Sequence, residues 1–118
     1  MKEINAILIN SEKKEITAVK IPVDEGHSNF WDTIYKLCNY DCGAPVYIRD
    51  ENVIMVDDEG LLKNPKFGFV VEDYPDPLAG NGIIIGPEVE EQTQDCTLSV
   101  DKVKSIIKFI EFQGEDNE

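Results

Sequence analysis

Residues 3–10 put apolar side chains on both sides of the chain, with Ile4, Ala6 and Leu8 alternating with Ile7 and Ile9. Successive strand residues point to opposite faces, so this run reads as a strand buried on both faces for much of its length. That restricts the fold more than any other feature, because such a strand belongs in a sheet with another layer laid across it. The polar turn Ser11-Glu12-Lys13-Lys14 follows. Then Ile16, Ala18 and Lys20 alternate with Thr17, Val19 and Ile21, giving a second strand that Pro22 ends and a hairpin with the first.

The period then changes. Phe30, Ile34 and Leu37, with Trp31, Tyr35 and Cys38 beside them, recur at helical spacing and predict one main helix over 28–39. Ser28 fits the N-cap, Asp32 lies near the positive end of the helix dipole, and Asp41-Cys42-Gly43 closes the segment. Val46-Tyr47-Ile48 and Val53-Ile54-Met55-Val56 are β-rich and form a second hairpin across Arg49-Asp50-Glu51-Asn52. Asp57-Asp58-Glu59-Gly60 is a turn in which Gly60 can take positive φ. Residues 67–72 and 82–86 predict further strands. Between them, residues 73–82 are rich enough in Pro and Gly to predict irregular backbone. Residues 88–95 form an acidic loop, Ser99 caps a short helix through Lys104, and residues 106–112 alternate as a closing strand. The expectation is an α+β fold: a mostly antiparallel β-sheet of about six to seven strands, with one main helix across it and a short second helix near the C-terminus. It occupies 1–112 as one domain, with 113–118 as a flexible acidic tail.

Composition bounds the setting. A chain of 118 residues with 42% hydrophobic content fits one globular domain. No run approaches the roughly 20 apolar residues that cross a bilayer, and Met1-Lys2-Glu3 leads into a strand without a signal-peptide pattern. Cys38, Cys42 and Cys96 are an odd number and too sparse for a disulfide scaffold, which points to a reducing, cytoplasmic setting.

The formal net charge is −13, and it is uneven: residues 50–98 carry 12 acids against Lys63 and Lys66 alone. Such a field repels nucleic acid and anionic membrane, which need clustered Lys and Arg, and favours basic partners, including the nucleic-acid-binding surfaces of other proteins. The candidate partner-binding acids are Asp57, Asp58, Glu59, Asp73, Asp76, Glu88, Glu90 and Glu91. The plainer alternative is that the acids only keep a small protein in solution.

Val56-Asp57-Asp58-Glu59-Gly60-Leu61-Leu62-Lys63, with Asn64-Pro65 after it, and Tyr74-Pro75-Asp76-Pro77-Leu78-Ala79-Gly80-Asn81-Gly82 resemble two segments of a family of small proteins from phages, prophages and mobile elements. The likeness extends over roughly 1–112 in matching order. It implies a phage or mobile-element setting and no particular chemistry, since the family is a domain of unknown function. Where many relatives carry Lys in the second segment, this chain has Asn81.

That second segment could present backbone amides to a phosphate, which makes Tyr74, Leu78, Ala79, Gly80, Asn81 and Gly82, with Arg49 and Lys63, an alternative ligand site for a nucleotide-like signal. It lacks the Gly-Lys-Ser/Thr ending of a P-loop, and Asp73 and Asp76 oppose an anion. Asp57-Asp58-Glu59 lack the spacing of a calcium loop. Cys38, Cys42 and Cys96 with His27 lack the second cysteine pair that zinc sites usually show, so no metal or cofactor is expected. Nothing places a nucleophile beside His27, and Arg49 is the only arginine, which argues against an enzyme of phosphoryl transfer. Phe30, Trp31, Phe67 and Phe69 could serve a core or the interface of a homo-oligomer. The leading expectation is a non-enzymatic acidic protein that docks on a basic host protein such as a nuclease, a defence effector or a transcription component.

Overall fold

In the computed structural model, which describes residues 2–23, 28–40, 43–57, 65–90 and 92–112, the strand buried on both faces sits inside a five-stranded sheet. This is β1 (Lys2–Asn10). β2 (Glu15–Val23) lies outside it, and β7 (Gly82–Ile85), β4 (Val53–Asp57) and β3 (Gly43–Tyr47) follow on the other side, every pairing antiparallel. Directly paired residues share a face. The row Leu8, Ile83, Met55, Pro45 therefore marks one face, and the row Ile7, Ile84, Ile54, Val46 marks the other.

Each face has its own core. Ile7, Ile9, Ile54 and Ile84 pack against Phe69, Val71 and Leu78 of a second sheet, ordered β10 (Ile107–Glu111), β5 (Phe67–Val71), β6 (Tyr74–Ala79). Val103 and Ile106 of α2 (Val100–Ile106) close the same core. Ser99 caps that helix as expected, its hydroxyl accepting from the Lys102 N–H at 3.0 Å. The opposite face carries α1 (Ser28–Cys38), whose Phe30, Ile34 and Cys38 lie buried in one stripe against Ile4, Ala6, Ile21 and Ile83. Leu37, Trp31 and Tyr35 flank that stripe half-buried. Asn39 ends the helix with φ 62°, in the left-handed region that Asn tolerates.

The α+β class and the antiparallel pairing follow the expectation, but among the described residues the strands number ten in three sheets. The third is the small hairpin of β8 (Glu88–Val89) and β9 (Gln92–Thr93), within the segment expected as loop. Gly86 fastens its base: its N–H donates to the Gln94 carbonyl at 3.0 Å, and a Cβ there would overlap the Asp95 carbonyl. Two other differences come from proline. Pro22 lies within β2 instead of ending it, and the segment expected as irregular contains β6, with Pro75 and Pro77 inside a strand. Both are outer strands, where a missing N–H can face away from the ladder. Pro45 is placed the same way in β3, the other outer strand of the large sheet.

The segment expected to close α1 (Asp41 and Cys42), the turn through Asp58, Glu59 and Gly60, and the tail 113–118 lie outside the described residues. Among the described residues no helix is long and apolar enough to cross a membrane.

Candidate functional site

A helix is about 10 Å across and neighbouring strands are about 4.8 Å apart, so one helix covers roughly two strands of a sheet. α1 rests on β2, β1 and β7. It leaves the end of the same face formed by β4 and β3, and there the molecule has a cleft of about 940 Å³. Pro45, Tyr47, Met55 and Ile85 line it from the strands, and Phe30 and Trp31 from α1. Glu51 enters from the β3–β4 turn, and Glu88 and Thr93 from the β8–β9 hairpin. Among the described residues its charged lining side chains, Glu51 and Glu88, are both carboxylates.

The aromatic wall is braced from behind. Trp31 meets Phe30 edge-on with ring centres 5.0 Å apart, and lies near-parallel to Tyr35 at 6.0 Å. Tyr35 in turn meets Tyr40 at 5.9 Å, and the Tyr40 hydroxyl donates to the Met55 carbonyl at 2.9 Å. Burial raises the Tyr40 hydroxyl far above its ordinary range. The Cys38 thiol beside it is pushed up to about 11 by burial, against a lowering hydrogen bond with Tyr40. Cys38 is therefore a protonated core thiol at neutral pH, without nucleophilic character.

The turn that carries Glu51 is conformationally costly. Asp50 (φ 58°, ψ 29°) and Glu51 (φ 63°) are both left-handed, in a turn closed by the Asn52 N–H on the Arg49 carbonyl at 3.2 Å. Two positive φ angles are the signature of a type I′ turn, which favours Asn-Gly. For other residues the left-handed conformation costs on the order of 1 kcal/mol each. The surroundings hold it in place. Arg49 donates to Asp73 from its backbone N–H and its Nε, both to Oδ2 at 2.9 Å, and from Nη2 to Oδ1 at 2.6 Å, with a further bond from Nη2 to Glu72 at 2.8 Å. These bonds hold the Asp73 carboxyl below the usual carboxylate range and raise the Arg49 guanidinium. On the other side Asn52, fully buried, donates to the Arg49 carbonyl at 3.0 Å and to Thr97 Oγ1 at 2.7 Å, and accepts from the Thr97 N–H at 3.0 Å.

Of the acids singled out from the sequence, those described lie on three separate connections or strands of the fold. Asp73 is engaged by Arg49. Asp57 lies half-buried at the far end of β4, four strand steps or about 13 Å from Val53. Asp76 is exposed on β6, and Glu88 and Glu90 are exposed on the β8–β9 hairpin. Asp58, Glu59 and Glu91 lie outside the described residues, as do Lys63, Cys42 and His27. In the alternative ligand segment, Leu78, Ala79 and Gly82 are buried and Tyr74 packs on the core between the sheets. Gly80 takes φ 76° at a bend, and Asn81 accepts from the Ser11 N–H at 2.8 Å and donates to the Cys38 carbonyl at 3.4 Å. Ser11 is itself buried, and its hydroxyl donates to the Gly80 carbonyl. Arg49, proposed for the same segment, is held by Glu72 and Asp73. Cys38 and Cys96 belong to the cores on opposite faces of the large sheet, which separates two of the cysteines considered for zinc.

Sequence reasoning missed Tyr47 and Glu51 as site residues, and offered Trp31 only as a core or oligomer-interface residue. Tyr47 is 72% exposed and lines the cleft. One local sign was available: Asp50-Glu51 in a tight hairpin where Asn-Gly would fit better. Among the described residues no three His, Cys, Asp or Glu side chains gather as a metal site. Compared with family models, curated proteins and solved structures, the chain finds no match.

Proposed function

We propose that this chain is a non-enzymatic binding protein of phage or mobile-element type that acts in the host cytoplasm by docking on a basic protein. The setting rests on the resemblance of the segments at 56–65 and 74–82. The docking role rests chiefly on one observation: an exposed large aromatic side chain, Tyr47, lines a cleft whose charged lining residues, among those described, are Glu51 and Glu88. An exposed aromatic group at a concave site supplies desolvation energy, and the carboxylates, with exposed Asp50 and Glu90 nearby in sequence, supply selection for positive charge. A nuclease, a defence effector or a transcription component, blocked at its nucleic-acid-binding surface, fits that chemistry.

The test is binding of purified basic nucleic-acid-binding proteins by the immobilised chain at about 0.05 M and about 0.5 M salt, where screening shortens the reach of charge severalfold. The expected result is retention at low salt, release at high salt and competition by DNA for the partner. Retention indifferent to salt, or none for any basic protein, overturns the proposal.

A further inference from the structure

We infer that the cleft between α1, the β3–β4 turn and the β8–β9 hairpin is a receptor for an arginine side chain presented by the partner. The inference rests on the docking reading above and specifies what enters the site. Four observations select this occupant. The first is charge: among the described residues the charged lining side chains are Glu51 and Glu88, from two different elements, so a cation in the cleft meets carboxylates and no competing positive charge. The second is the aromatic lining, Trp31 from the helix and Tyr47 from the strand, with Trp31 braced by Phe30 and Tyr35. A guanidinium stacks on such rings and still offers N–H groups at its edge to more than one carboxylate, whereas an ammonium is a compact, strongly hydrated point charge.

The third is Pro45. The outer edge of β3 runs along the cleft, and an added strand from a partner would need backbone donors that Pro45 cannot supply. Recognition then has to pass through side chains. The fourth is size. At about 940 Å³ the cleft is near the upper end of ligand sites, roughly 300–1,000 Å³, and is larger than one arginine side chain fills. The residues flanking the arginine enter too, over exposed Tyr47. A short exposed segment of a basic protein, with an arginine at its tip, meets all four conditions.

Trp31 is the only tryptophan in the chain, so the site contains its own reporter. Titrate the full chain with capped Gly-Ser-Arg-Ser-Gly peptide and with counterparts carrying lysine or citrulline, the neutral isostere of arginine, and follow Trp31 emission. The expected order is arginine, then lysine, then citrulline, with citrulline at least about tenfold weaker. Glu51→Gln with Glu88→Gln, and separately Tyr47→Ala, should each weaken the arginine peptide by about tenfold while leaving the urea midpoint near wild type. Equal binding of arginine and citrulline overturns the inference, as does full affinity in the Glu51/Glu88 double variant. A self-associated chain that Tyr47→Ala dissociates and the arginine peptide does not would also overturn it, by showing a second copy in the cleft. Salt-sensitive capture of basic proteins that survives all these substitutions would sink the arginine site and leave the docking reading standing. Arginine-selective peptide binding without capture of any basic protein would do the reverse.

Discussion

Two tight connections in this molecule are built from similar parts to different ends. The bend between β6 and β7 uses Gly80 for its left-handed residue, and Asn81 ties the backbone of Ser11 to the end of α1. Every group there goes into holding elements together. The turn between β3 and β4 uses Asp50 and Glu51 in left-handed positions that glycine would occupy more cheaply, and needs Arg49, Asp73 and Asn52 to keep them there. A connection selected for stability alone would not keep two acids in that conformation. The contrast marks the β3–β4 turn, not the proline- and glycine-rich segment, as the strained connection, and under the docking proposal that strain serves to present Glu51.

The sharpest way to break this contrast is to remove the asparagine at each connection. Asn52→Ala takes away three side-chain hydrogen bonds from a fully buried site and leaves the Thr97 N–H without its Asn52 partner, so urea unfolding should show a loss of about 3 kcal/mol. Binding of the arginine peptide should fall with it. Asn81→Ala should cost about 1–2 kcal/mol and leave peptide affinity unchanged. If both variants lost binding equally, the two connections would not differ in function.

Asp50→Asn with Glu51→Gly puts the favoured type I′ pair into the strained turn. Thermal and urea unfolding should show a gain of about 1 kcal/mol, while the arginine peptide binds more weakly because Glu51 is gone. A gain in stability with full affinity would separate the strain from the site.

The ion pair at the same turn gives a pH dependence with a definite sign. Arg49 lowers the Asp73 carboxyl in the folded chain below its unfolded value, so its stabilisation is complete above the ordinary aspartate range near 3.8 and fades as pH falls through the lower folded value. The advantage of wild type over Asp73→Asn in urea midpoints should therefore be constant near neutral pH and shrink below about pH 4.

The smallest effect belongs to the bend. Cys38, pushed up to about 11 and buried, should resist iodoacetamide at pH 8 in the native chain, read by mass mapping of each cysteine. Asn81→Ala, which frees the Cys38 carbonyl, should quicken that slow modification several-fold; the Asp50→Asn, Glu51→Gly pair should not.

What the sequence disclosed divides along the same line. β1, β4, β5, β7 and α1 were legible because burial imposes its period on the residues that form them: Ile7 and Ile9 on one face of β1, Ile4 and Ala6 on the other, and Phe30, Ile34 and Cys38 along the helix. β6 was not, because Pro75 and Pro77 carry the same message in an irregular loop as on an outer strand, and only the finished sheet tells them apart. The cleft was hidden more deeply. It exists because the strand order β2-β1-β7-β4-β3 puts β4 and β3 at the end of the sheet away from β2, the strand on which α1 chiefly rests, and no local pattern around Tyr47, Glu51 or Trp31 encodes an order set by long-range pairing. Acidity was plain in the composition; which carboxylates meet, and which are taken up by Arg49, was not.

The prolines of the outer strands have a consequence for how such a chain can drift over generations. β2, β3 and β6 are each one or two residues from being uninterrupted pairing edges. Replacing Pro45 or Pro22 with a β-branched residue would strengthen the strand that received it, and would also offer neighbouring copies a template for cross-β stacking. A screen for folding would reward that change and a screen for dispersal would eliminate it. At these positions the pressure on the codon comes from the company the molecule keeps at high concentration, not from its own native state.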